Sequence, residues 1–186
     1  MSNAELTKLS AADRHKLVSV PIDGQGLKTL LEAGMLWLRT NQQSVNSLNV
    51  FPVPDGDTGT NMILTMQAAF EEVENSGVEN VGQLGQAVAR GALMGARGNS
   101  GVILSQIWRG FARALDDEEI MDVKLLAAAL NEAKETAYKG VVRPVEGTIL
   151  TVIKDIAAQA EVSVQRTSLF TEVLADIVEA ADASVQ

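Results

Sequence analysis

The chain has 186 residues, 46% hydrophobic and 21% charged, which is enough apolar mass for one ordinary domain with a proper core. Its net charge of −9 leaves no basic excess to meet a nucleic-acid backbone, and its lack of cysteine excludes disulfides and thiolate metal centres and suits a reducing cytoplasm. A single histidine, His15, removes most imidazole catalysis and most zinc chemistry, and no apolar run approaches the ~20 residues of a membrane helix.

In chain order, residues 1–23 read as an irregular lead-in with one short helical turn, and no secretory leader is expected. From Gly24 the pattern is helical nearly throughout. Leu27, Leu30, Leu31, Met35 and Leu38 recur at three- and four-residue spacing and predict a first helix over 25–47. A second is expected over 59–76, with Gly77 as its C-terminal cap, and a third over 80–95. The third is rich in Ala and Gly, so its neighbours should pack closely. Further helices are predicted over 101–116, 122–142, 147–164 and 168–184, with Asp122 and Ser168 as N-caps. Trp37 and Trp108, at helical spacing among apolar neighbours, are expected in the core. No period-2 alternation is sustained, so the reading is all-α without strands.

Short links between these segments imply antiparallel neighbours, hence an up-and-down helical bundle or barrel. If directions alternate, the loops before the second, fourth and sixth helices share one end of the molecule. Those loops, Pro52–Gly59, Gly95–Gly101 and Arg143–Gly147, are also the chemically unusual ones. The opposite loops, including the acidic run Asp116–Glu119, read as ordinary solvated turns. Function is expected at the first end.

In the first loop Pro52 and Pro54 stop the preceding helix and push Phe51 and Val53 toward extended geometry. Asp55 and Asp57 follow, directly ahead of a helix start whose free N–H groups can receive phosphate oxygens. Two carboxylates suit Mg²⁺, which takes few protein oxygens and keeps its other positions for water and phosphate. The plain alternative is a turn and a cap. A calcium-binding EF-hand fails on spacing, because Thr60 replaces the turn glycine and Met66 the bidentate glutamate. The second loop lacks the Gly-Lys-Ser/Thr of a P-loop, and no strand precedes it as in a Rossmann turn. Its glycines and Ser100 still offer an anion receptor at a helix start, the plain alternative being a tight interhelical turn. In the third loop Arg143 and Thr148 offer a cation and a hydroxyl, while Glu146 fits a helix start electrostatically. His15 lies outside all three loops and reads as a surface residue.

Three long stretches, Leu48–Met62, Met94–Gln106 and Pro144–Thr151, resemble the N-terminal domain of the kinase component of bacterial fatty acid kinase. That domain is similar to the nucleotide-binding (DhaL) domain of dihydroxyacetone kinases, and the likeness covers about residues 24–186. The resemblance implies a barrel of eight antiparallel helices, of which seven would be present here, with ATP and two Mg²⁺ at one end. It implies metal ligation by Asp55 and Asp57, and places Asn49 nearest a third acid of the relatives, one residue off in spacing. A neutral amide is a poorer ligand for a hard cation. Thr58, Gly59, Thr60 and Asn61 match positions beside the phosphates; Gly95, Gly98, Asn99, Ser100 and Gly101 match the phosphate loop; Thr148 matches a nucleotide-facing position. Thr151 stands where the relatives carry an Asp.

The intact family phosphorylates a fatty acid held by a separate acyl-binding protein, giving an acyl phosphate for phospholipid synthesis. By that likeness the chain is part of a cytoplasmic phosphotransferase, with ATP and an acyl-carrying protein as partners. Homodimerisation would run through regions not in this chain. The domain over 24–186 is expected to stop before the last wall of its own site, leaving the piece inactive alone. No residue beyond the metal ligands is assigned catalysis, because a carboxylate acceptor is already ionised. The alternatives are a phosphotransferase of the dihydroxyacetone (glycerone) kinase type and a non-catalytic nucleotide-binding scaffold; the Pro-Val-Pro ahead of Asp55 favours the fatty acid branch.

Overall fold

A computed structural model describes residues 21–51 and 53–185. Eight helices are found there: α1 Gly24–Thr40, α2 Gln42–Ser47, α3 Thr58–Glu71, α4 Val81–Met94, α5 Gly98–Ala114, α6 Val123–Lys139, α7 Ile149–Arg166 and α8 Phe170–Ser184. Among the described residues the only β-type pairing is an isolated bridge between Ile22 and Met121. The expected lead-in lies, up to residue 20 and including His15, outside the described residues.

The helical periods convert directly into burial. Leu27, Leu31 and Met35 form the inward stripe of α1, and Val81, Leu84, Val88 and Ala92 that of α4. These join Val73, Phe111, Leu115, Leu126, Ala133, Ile153, Val173 and Ile177 in one continuous core. Full burial of each large member contributes roughly 1.5–3 kcal/mol. Apart from α1 and α2, which only Asn41 separates, consecutive helices run antiparallel. The start of α4 at Gly82 meets Leu115 at the end of α5, Gly110 near the end of α5 meets Ala133 of α6, and Ser184 at the end of α8 bonds Asp155 near the start of α7. The main partner of α8 is α7, held by Ser163, Arg166 and Asp176 as well as by apolar contacts.

The small residues of α4 do what their composition suggests. A Cβ placed on Gly91 would lie 2.6 Å from the Ala68 carbonyl oxygen and 2.9 Å from Ala69 Cα, so α3 and α4 touch backbone to backbone there.

Several expectations are corrected. The first helix is two helices, because Asn41 leaves helical geometry (φ −99°, ψ 9°) and turns its Nδ2 back onto the Trp37 carbonyl. α3 ends at Glu71 rather than 76, and Gly77 is not a left-handed cap; the Phe70 carbonyl instead takes both Val73 and Glu74 N–H groups as the chain turns away. α5 begins at Gly98, three residues early. α6 ends at Lys139, and α7 begins at Ile149 with Thr148 as its cap. Asp122 does cap α6, accepting from Leu125 N–H at 2.8 Å, whereas α8 starts behind Leu169, with Thr167 Oγ1 rather than Ser168 receiving that residue's N–H. Trp108 packs against the core, edge-on to Phe111 at 5.5 Å. Trp37 does not: it is 72% exposed, because the inward stripe of α1 passes through Leu31 and Met35 and leaves position 37 outside.

The end away from the unusual loops is also more ordered than solvated turns would be. Ile22 and Met121 exchange backbone hydrogen bonds at 2.8 and 2.7 Å. Gly24 N–H reaches Glu79 O, and Val81 and Gly82 N–H groups reach Glu119 and Glu118 carbonyls. Three connections are thereby stitched together, with Asp117 held at φ 64° and the acidic side chains left in water.

Candidate functional site

The first two unusual loops meet. Gly98, at φ 58°, packs so tightly on the side chain of Asn61 that any Cβ there would overlap it, and Gly101 packs likewise on Thr65 Oγ1. Ser100 Oγ donates to the Thr58 carbonyl at 3.4 Å, and Arg97 N–H donates to Thr65 Oγ1 at 3.2 Å. The N-termini of α3 and α5 therefore lie side by side, and their free N–H groups with the partial positive charge of each helix end favour an anion.

Asp57 occupies the N-cap position of α3 but does not cap it. Its backbone sits near the helical region (φ −115°, ψ 0°) rather than the extended geometry of a capping residue, and its side chain makes no cap hydrogen bond. Among the described residues neither Asp55 nor Asp57 is ion-paired. Nor is there a cluster of three or more metal-ligating side chains. Two unspent carboxylates, one at the start of α3 and one two residues ahead of it, fit Mg²⁺, which needs one or two such groups plus phosphate and water, and fit calcium or zinc poorly.

Asn49 is engaged otherwise. Its Oδ1 accepts from Asp57 N–H at 3.2 Å and its Nδ2 donates to Val53 O at 2.9 Å, so it braces the loop that carries the two acids. Thr60 is tied to α2: its hydroxyl accepts from Gln42 Nε2 and Asn46 Nδ2, and its N–H donates to Asn46 Oδ1. Gly59 allows that approach, since a Cβ there would lie 2.6 Å from Gln42 O. Thr58 and Asn61 are half-buried, Asn99 is exposed, and Gly95 is wedged against Ala68. Three supporting residues escape the motif reading: Thr65, Gln42 and Asn46. The last two stand four apart on one helix face, a spacing visible in the sequence.

The third loop lies at the same end but beside α5's third turn, where Gly140 packs on Gln106. Among the described residues no hydrogen bond joins it to the other two loops. Thr148 caps α7 through its own hydroxyl, which accepts from Leu150 N–H and donates to Val145 O. Glu146 is the hub: it accepts from Tyr138 Oη, Thr151 Oγ1 and Lys154 Nζ, tying the loop to both flanking helices. Arg143 makes no ion pair among the described residues.

This latch has a pH signature. The Lys154 ammonium, and next the Thr151 hydroxyl, hold the Glu146 carboxyl below its ordinary 4.5, and Glu146 in turn holds Lys154 above 10.5. Burial, then the hydrogen bond to Glu146, raises the Tyr138 phenol. A lowered acid contributes fully above its unfolded value and loses that contribution as pH falls through its folded one; a raised lysine contributes fully below its unfolded value and loses it as pH rises. A raised phenol likewise contributes fully only below its unfolded value of 10.0, so the latch is complete between pH 4.5 and 10.0. Glu146→Gln is expected to flatten both limbs of the melting-temperature profile outside that window; unchanged limbs would show the latch contributes nothing.

Comparison with known proteins supplies the family. The DAK2 domain matches residues 52–186. An uncharacterized protein of Staphylococcus aureus (strain bovine RF122 / ET3-1) is 48% identical over 165 residues, covering 89% of this chain and 30% of its own length. One from Staphylococcus epidermidis (strain ATCC 12228 / FDA PCI 1200) is 48% identical over 164 residues, covering 88% of this chain and again 30% of its own. The chain thus spans under a third of those relatives. Matched over residues 52–186 and folded as an all-helical bundle, the chain belongs to the DAK2-domain family, whose members carry the nucleotide-binding domain of dihydroxyacetone kinase type.

Proposed function

We propose that this domain binds magnesium–ATP at the junction of its first two loops and presents the terminal phosphate for transfer. The observation that carries the reading is Asp57: an acid at a helix start, released from capping, next to a glycine loop that packs on the same helix. Asp55 and Asp57 would hold Mg²⁺, which when bound neutralises phosphate oxygens and orients the triphosphate. The chain's own contribution is positional. Asn49 fixes the acidic loop, Thr65 fixes the start of α5, and the free N–H groups of that helix's first turn remain for phosphate.

We infer further that the acceptor is a fatty acid carboxylate carried by a separate acyl-binding protein. The new bond joins phosphorus to a carboxylate oxygen, the bond to the ADP oxygen breaks, and no proton need be removed from the acceptor. Phe51, Val50, Val53, Met94 and Val142 are all exposed at the loop end, an apolar rim suited to a macromolecular partner. The Pro-Val-Pro segment and the motif resemblance favour this acceptor. The family match itself favours the second reading, a dihydroxyacetone-type acceptor.

Calorimetric titration of ATP with and without Mg²⁺ into a full-length protein containing this domain tests the core of the reading. Binding that depends on Mg²⁺ is expected, and metal-independent binding of equal strength would refute the metal assignment. Adding dihydroxyacetone or an acyl-loaded partner protein to the full-length relative and following ADP release separates the two acceptors.

A further inference from the structure

Of the helices in this bundle, α5 alone opens on a cation. α1, α4, α6 and α7 start behind Asp23, Asn80, Asp122 and Thr148, whose side chains accept from their own first turns. α5 starts behind Arg97, which provides no cap, and its first turn contains no acid. A guanidinium beside the positive end of a helix is unfavourable for folding.

The main chain of Arg97 is nevertheless fixed. Its N–H donates to Thr65 Oγ1 at 3.2 Å, its carbonyl accepts from Gly101 N–H at 3.0 Å, and the next residue is the left-handed Gly98 seated on Asn61. The side chain springs from this point, where the two loops join. It is exposed, and its hydrogen bond runs only to the neighbouring Ala96 carbonyl at 3.1 Å. Among the described residues no carboxylate lies within 4.0 Å of it, which it shares with Arg39, Arg109 and Arg143, but none of those three stands at a helix start where the first two loops join. Neither capping nor ion pairing accounts for a guanidinium held there.

We propose that Arg97 binds the terminal phosphate of the nucleoside triphosphate and so sets the preference for triphosphate over diphosphate. This rests on the nucleotide reading above and deepens it. A planar guanidinium can grip two phosphate oxygens at once, and a cation on the transferring phosphoryl group offsets the charge that develops there. Once the group has left, the remaining diphosphate lacks that contact, which favours its release.

Titrations of Mg²⁺–ATP and Mg²⁺–ADP into a full-length protein containing this domain, as wild-type, Arg97→Met and Arg97→Lys, with melting curves of each, test the assignment. Arg97→Met is expected to weaken ATP by about 10- to 100-fold and ADP by no more than about threefold, with Lys restoring part of the loss. The melting temperature should stay level or rise, since the substitution removes an unfavourable charge. Equal losses for ATP and ADP, or an unchanged ATP affinity, overturn the role of Arg97 while leaving the nucleotide site standing. A full-length protein containing this domain that binds neither nucleotide overturns the nucleotide reading and this inference together.

Discussion

Replacing Asp57 with Ala is expected to lower magnesium-dependent ATP binding by about 100-fold or more, some 2.7 kcal/mol, while leaving folding almost untouched. The backbone of Asp57 does structural work, donating to Asn49 Oδ1 and accepting from Asn61 N–H, and both bonds survive the substitution. The carboxylate caps nothing and pairs with no cation among the described residues, so its loss should change stability by under about 0.5 kcal/mol. Asp122→Ala is the mirror control. That carboxylate accepts from Leu125 N–H at the opposite end, so its loss should cost about 1 kcal/mol of stability and no affinity. Calorimetry and thermal melts on the two variants measure both quantities. If Asp57→Ala destabilises as Asp122→Ala does and binds ATP unchanged, Asp57 is merely structural.

Gly91→Ala and Gly34→Ala should move stability in opposite directions, although the chemical change is the same. At Gly91 the added methyl meets the Ala68 carbonyl oxygen at 2.6 Å and Glu72 Cγ at 2.7 Å, so α3 and α4 must separate. Overpacking of that kind costs about 3 kcal/mol at its upper end, and the better helix propensity of Ala returns about 1. The net loss of about 2 kcal/mol corresponds to a melting temperature lower by about 4–8 °C in a chain of this size. At Gly34, in the middle of α1, a Cβ has nothing within 4 Å. Only the propensity gain remains, and the melting temperature should rise by about 2–4 °C. Because α3 carries Asp57 at its start and α4 leads into the glycine loop, Gly91→Ala should also weaken ATP binding. Equal shifts in the two variants would disprove the backbone contact between α3 and α4.

Much of the fold was legible because it depends on periodicity. The stripes Leu27–Leu31–Met35 and Val81–Leu84–Val88–Ala92 face inward as their spacing requires, and short links produced antiparallel neighbours. What failed was decided by single polar side chains. Asn41 breaks the first helix by folding back onto Trp37 O, and Thr167 rather than Ser168 receives the N–H at the start of α8. Trp37 misled because its apolar character says nothing about which side of α1 the core lies on.

The site divides in the same way. The sequence alone determined that acids, glycines and hydroxyls collect in loops at one end, since alternation of helix direction follows from link length. Only the tertiary structure decided which loops touch. Gly98 against Asn61 and Arg97 against Thr65 join the first two, whereas the third is latched by Glu146 to its own flanking helices. It also decided that Asn49 and Thr60 spend their polar atoms on the scaffold while Asp57 keeps its own. The physical reason is that composition states which groups a loop contains, whereas a group's availability to a ligand depends on whether a neighbour distant in sequence has already satisfied it.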